Sequence, residues 1–105
     1  MNTTDDSEAR IQKAVIKYAA DKGLPSIRLV MGRGISSGWP DVLFLPDGGI
    51  PHFIEFKAKG KSLSAVQRKR ILILGTHGYR TTVCDSIVQG KLLVDDMLKQ
   101  GTIHC

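Results

Sequence analysis

The stretch "DVLFLPDGGIPHFIEFKA", residues 41–58, sets the tightest limit on how this chain can fold. Two apolar runs, "DVLFL" and "HFIEFKA", flank "PDGGIP", whose Pro, Asp and Gly have the chemistry of a hairpin turn. An antiparallel strand pair is therefore predicted, with side chains alternating between its faces. On the second strand Phe53, Glu55 and Lys57 share one face, and Ile54, Phe56 and Ala58 the other. Folding back about the turn brings Asp41, at the mouth of the first strand, opposite Glu55 to Lys57, and Pro40 fixes the chain's entry by holding Trp39 extended. Two carboxylates and an amine thus converge among Val42, Leu43, Phe53, Ile54 and Phe56, where a buried charge needs a partner.

The rest of the chain supplies layers for that hairpin. Ile11, Val15, Tyr18 and Ala19 recur at helical spacing over about residues 5–22, between the capping region "TTDDS" and the stop Gly23-Leu24-Pro25. "SIRLVM" reads as a strand and "GRGISSGWP" as a loop with glycine freedom. A second helix is predicted over about 65–74, stopping at Gly75 to Gly78. "YRTTVC" is a last strand, and a third helix runs over about 86–100 with Gly101 as its C-cap. The order helix, three strands, helix, strand, helix implies an α/β fold with a mixed central sheet flanked by helices.

With 105 residues, 42% apolar and 24% charged, the chain is expected to form a single domain over residues 1–105, and its apolar runs are too short to span a bilayer. The N-terminus "MNTTDDSEAR" lacks the cationic start and apolar stretch of a secretory signal, so an intracellular, cytoplasmic protein is expected. Cys84 and Cys105 make neither a disulfide framework nor a metal-ligand pattern.

Two carboxylates at a strand end, with the Phe56 carbonyl beside them, form a hard oxygen site suited to Mg²⁺, with Mn²⁺ as a substitute. Such an ion binds a phosphate oxygen and acidifies a bound water, and Lys57 is placed to orient or deprotonate that water or to stabilise developing charge. The competing reading is a Glu-Lys ion pair on a solvated sheet face with Asp41 as a turn residue. Charge distribution adds to the case. From Lys57 to Arg80 the chain carries Lys59, Lys61, Arg68, Lys69 and Arg70 with no acidic residue between, a stretch of the kind expected to follow a phosphate backbone, with a solvated helix face as the competing reading. Arg33, in the glycine loop, is a further candidate phosphate contact.

Pro40-Asp41 followed by Glu55-Phe56-Lys57 resembles the PD-(D/E)XK nuclease superfamily. The fuller series "SGWPD", "FIEFKA", "SLSAVQ" and "LGTHGYR" is similar to its virus-type replication-repair nuclease branch, VRR-NUC, and covers nearly the whole chain. The resemblance implies a restriction-endonuclease-like core and a metal-dependent phosphodiesterase. Asp41 and Glu55 are then metal ligands and Lys57 the catalytic lysine. Small members of this kind resemble homodimeric Holliday junction resolvases, so branched DNA and a homodimer are expected; the resemblance allows a bacterial or a viral origin alike. By the same resemblance Glu8, on the stripe of the first helix facing the sheet, is a further acid for the metal, although Asp5 and Glu8 also have capping-box spacing. Gln67 sits where the family pattern has a glutamine by the site, yet Ser64-x-x-Gln67 has the form of a capping box too. Alternatives are a flap- or end-trimming nuclease, a nickase, or a non-catalytic DNA-binding module of the same fold.

Other motifs fail on inspection. "KGKS" has glutamate where a phosphate-binding loop needs its first glycine, and "GRGISSG" precedes a strand instead of a helix. His52, His77 and His104 are scattered without zinc-ligand spacing. Trp39 suits either base stacking or packing. In the third helix, Ile87, Val88, Leu92, Met97 and Leu98 form a stripe suited to a dimer interface or to the core.

Overall fold

A computed structural model of the chain describes residues 7–29 and 38–103, with side-chain surroundings described as far as Gln100. The elements follow the expected order: α1 (Glu8–Asp21), β1 (Ser26–Arg28), β2 (Val42–Phe44), β3 (His52–Phe56), α2 (Ala65–Thr76), β4 (Arg80–Cys84) and α3 (Ile87–Ile103). The four strands form one sheet in the order β1-β2-β3-β4. β1 pairs with β2 and β2 with β3 antiparallel, whereas β3 and β4 run parallel, joined by the α2 crossover.

The hairpin closes as its turn chemistry requires, with Gly49 N–H donating to Pro46 O and the pair in the register Val42↔Ile54, Leu43↔Phe53, Phe44↔His52. That register sorts the side chains. Val42, Phe44, Ile54, Phe56 and Cys84 join Ile11, Val15 and Ala19 of α1 and Val94 and Met97 of α3 in one apolar core. The opposite face, carrying Phe53 and Glu55, is covered by α2, of which Leu74 is the one fully buried hydrophobic residue among those described. This face is thinly covered. Val66, Leu72 and Ile73 of α2 remain exposed.

Helix ends differ from expectation in ways the capping chemistry explains. Ser7, not Asp5, caps α1, its side chain accepting from Arg10 N–H, and Asp5 lies outside the described residues. α2 continues through Gly75 because its stop signal is Gly78, in the left-handed region at φ 87°: Tyr79 N–H donates to Leu74 O and Gly78 N–H to Gly75 O, a Schellman pair. Gly23 closes α1 in the same way, through Leu24 to Ala19 and Gly23 to Ala20. Likewise α3 runs past Gly101 to Ile103, so Gly101 is not its cap. "SIRLVM" contributes a strand of three residues, Ser26–Arg28, and Met31 lies outside the described residues. The α3 stripe divides, with Met97 in the core, Ile87 and Leu98 packed against it, and Val88 and Leu92 exposed. No helix among the described residues is long and apolar enough to cross a membrane.

Two helical glycines have opposite surroundings. A Cβ at Gly90 would lie inside contact distance of Val15 Cγ2 and 3.2 Å from Cys84 Sγ, whereas one at Gly75 would meet nothing within 4 Å. Gly90→Ala is expected to destabilise the protein by about 1–3 kcal/mol through overpacking. Gly75→Ala should stabilise it by about 0.5–1 kcal/mol from helix propensity. Urea denaturation of both variants checks the pair, and Val15→Ala should recover part of the Gly90→Ala loss.

Candidate active site

The site lies where β2 begins and β3 ends. Asp41 immediately precedes β2, and its Oδ2 accepts a hydrogen bond from Phe56 N–H at 2.8 Å, closing the hairpin one step beyond the strand ladder. Its own carbonyl accepts from Leu29 N–H, so the residue is held from both neighbouring strands. The approach to Asp41 is fixed by α2. Gly38 lies so close to Val66 that an added Cβ would be 2.8 Å from the Val66 carbonyl oxygen, and one turn further along α2 the Arg70 guanidinium stacks 4.6 Å from the Trp39 ring centroid. Trp39 also packs on Phe53, which meets Tyr79 edge to face. Pro40 is buried.

Glu55 is the most confined charged group described, at 1% exposure on a strand whose five residues are all buried. Its Oε2 accepts from Gln67 Nε2 at 2.8 Å and lies 4.0 Å from Lys57 Nζ. Its Oε1 is buried without a hydrogen-bond partner. A carboxylate oxygen in that position is costly unless something cationic meets it. Each of Glu8, Asp41 and Glu55 offers one carboxylate oxygen such that all lie within 4.8 Å of one another. Three convergent carboxylates, one of them buried with an unpartnered oxygen, fit a hard divalent cation.

Electrostatics record the same crowding. Burial, then the charge of Asp41, raises Glu55 to about 7, with Glu8 adding to the rise and Lys57 and a backbone hydrogen bond from Asp41 opposing it. Asp41 is raised by burial, against the pull of the Phe56 amide, Lys57 and Arg28. Like-charged acids this close cannot all ionise without a compensating cation.

The two readings of Gln67 turn out to be one arrangement. Its Oε1 accepts from Ser64 N–H at 2.9 Å while Ser64 Oγ accepts from Gln67 N–H at 3.1 Å, which is a full capping box, and its free Nε2 donates to Glu55. Glu8 begins α1, one residue after the Ser7 cap, and its carboxylate belongs to the acidic cluster. Phe56 enters the site through its amide. Lys57 is anchored by its own N–H to Cys84 O, extending the β3–β4 ladder.

The basic residues fare unequally. Lys59, Lys61 and Lys69 are exposed, Arg68 is tied to Leu63 O at 2.7 Å, and Arg70 is half-buried beneath Trp39. Arg33 lies outside the described residues. Arg28, which sequence reasoning passed over, acts on Asp41 from β1, and only the register Arg28↔Val42 reveals this.

The profile of the VRR-NUC domain family matches residues 3–87. A solved structure titled "VRR_NUC domain" superposes with a TM-score of 0.72 at 25% identity, over 84% of this chain and 94% of that one. Another, "VRR_NUC domain protein", has a TM-score of 0.75 at 22% identity and covers 90% of each chain, which shows likeness of fold. No curated protein matches the chain.

The raised acids make stability depend on pH. The folded state holds the Glu55 proton more tightly than the unfolded chain, so without metal this group's contribution is full below its ordinary 4.5 and is lost as pH rises through about 7. Asp41 acts in the same direction, while His52, lowered by burial, acts oppositely below its ordinary 6.5. At about pH 8 without divalent cation, Glu55→Gln should therefore stabilise the protein, on the order of 1–3 kcal/mol. Mg²⁺ should raise the melting temperature of the parent and not of the variant. Thermal melts with EDTA and with Mg²⁺ test this, and equal Mg²⁺ shifts would remove Glu55 from the cation site.

Proposed function

The chain belongs to the VRR-NUC domain family, and on that premise we propose that this nuclease is a divalent-metal-dependent endonuclease hydrolysing DNA phosphodiester bonds, acting as a homodimer on branched DNA such as a four-way junction. The observation that carries the metal dependence is the buried Glu55, with Oε1 unpartnered, in a cluster with the carboxylates of Asp41 and Glu8. Asp41, Glu55, Glu8 and the Phe56 carbonyl would hold the ion, Mg²⁺ with Mn²⁺ as substitute. A hard cation there supplies neutralisation of charge building on the phosphoryl group and lowers the pKa of a water that it binds.

The protein groups divide the remaining work. Gln67 holds one oxygen of Glu55, and the other has no hydrogen-bond partner. The Phe56 amide holds Asp41. Lys57, 4.0 Å from Glu55 and only 15% exposed in its side chain, presents a fixed ammonium whose protons meet a phosphoryl oxygen or the attacking water. Exposed Lys59, Lys61 and Lys69 follow the phosphate backbone, with Arg68 and Arg70 behind them.

Symmetric cutting of a four-way junction needs two active sites, and the three acids here make one. Val88 and Leu92, 70% and 60% exposed and a helical turn apart on α3, support a two-fold interface on that helix.

Purified protein incubated with labelled junction, flap and linear duplex, in Mg²⁺, Mn²⁺ or EDTA, tests the reading. Junction cleavage in either metal and none in EDTA is expected. Binding without cleavage in every metal would sink the enzyme, and equal cutting of linear duplex would sink the junction preference. Asp41→Asn, Glu55→Gln and Lys57→Ala should each lower the cleavage rate at least about 10²–10³-fold while leaving junction binding largely intact. A monomeric solution mass would overturn the dimer.

A further inference from the structure

A second cationic surface adjoins the acids from the other side. Between α1 and β1 runs a half-open groove of about 590 Å³, lined by Ala9, Gln12, Lys13, Ile16, Lys17 and Arg28. It begins beside the cluster, because Glu8 precedes Ala9 and Gln12 lies one helical turn further on. Among the described residues, every charged side chain lining it is positive. Lys17 is engaged with Asp21 at 3.0 Å, whereas among the described residues Lys13 forms no salt bridge and Arg28 acts on Asp41 only from beyond salt-bridge distance. Both are exposed, so their charge is available to a ligand.

We propose that this groove is a binding subsite for one polynucleotide strand, whose phosphodiester backbone meets Lys13 and Arg28 as it leaves the carboxylate cluster. This deepens the nuclease reading by giving the strand a direction. A phosphate approaching three acids is repelled unless cations flank it, and Lys59 and Lys61 are carried by the segment that leads from β3 into α2. The α1–β1 groove supplies the missing flank. Its size is that of a small-ligand pocket, enough for a nucleotide or two. Ala9 and Ile16 give sugar and base an apolar wall, and Gln12 adds a hydrogen-bonding side chain.

The test is fluorescence anisotropy of a short labelled oligothymidylate in EDTA, where nothing is cut, across a salt series. Lys13→Ala and Arg28→Ala should each weaken binding about three- to tenfold and lower the slope of log K against log salt by about 0.7. Lys13→Arg and Arg28→Lys should restore the slope, which separates charge from folding. Lys22→Ala, at the far end of α1, should change neither quantity. An oligouridylate arm distinguishes DNA from RNA as the source of the strand, and loss of affinity in either arm supports the subsite. Unchanged affinity and slope in both alanine variants would overturn it, as would failure of the parent protein to bind either strand. Cleavage is scored separately. A parent that never cuts yet loses strand binding on these substitutions would defeat the nuclease reading and leave the groove standing.

Discussion

Glu55 is a carboxylate near the end of a fully buried strand, β3, and most of what surrounds it is arranged to make that tolerable. One oxygen is met by Gln67 and, more distantly, by Lys57, while the other is left unmet. Replacing the residue by an apolar one would pack more cheaply, since an uncompensated buried carboxylate costs several kcal/mol. The apolar neighbours are what give the charge its strength. Burial in a medium of low polarisability penalises the charge itself and, after that, strengthens its repulsion by Asp41 and Glu8, which is why Glu55 rises to about 7.

Around this group α2 acts as a positioning element more than as a core helix. One side of its first turns carries Val66 against Gly38, Gln67 against Glu55 and Arg70 against Trp39. These contacts set the entry into Asp41 and the orientation of Glu55 from the same rigid body. The helix has little amphipathic character because its duties are polar and aromatic contacts at a site, not burial of an apolar stripe.

Much of this was legible in the sequence. The turn residues of "PDGGIP" and the two-residue alternation in "HFIEFKA" were enough to bring Asp41 to Phe56 and to put Glu55 and Lys57 together, because hairpin register is a local property. Gln67 looked ambiguous because its two ends do different things, and a spacing rule reports only the capping end. Arg28 was invisible for another reason. Its nearness to Asp41 depends on β1 pairing with β2 across a loop of unpatterned sequence, which no period reveals. The fate of Arg70 was hidden likewise, since a basic stretch does not say which cation an aromatic ring will take. Helix ends were missed at Gly75 and Gly101, where glycine in sequence was read as a stop, although only a glycine placed for the Schellman bonds ends the helix.

The hydrogen bonds that define the site span short stretches of chain, 15 residues from Asp41 to Phe56 and 12 from Glu55 to Gln67. The contacts behind it do not: Tyr18 Oη donates to Asp95 across 77 residues, and Val94 and Met97 of α3 are fully enclosed against the sheet. Reagents and scaffold are therefore written in different parts of the polypeptide. Most of the chemistry is contiguous text, whereas the foundation is assembled from elements far apart in sequence, so α3 can vary where it only delivers apolar volume, though not at Gly90, packed on Val15, or at Asp95, bonded to Tyr18. In that sense α3 is answerable mostly to shape, and the segment from Asp41 to Gln67 to identity.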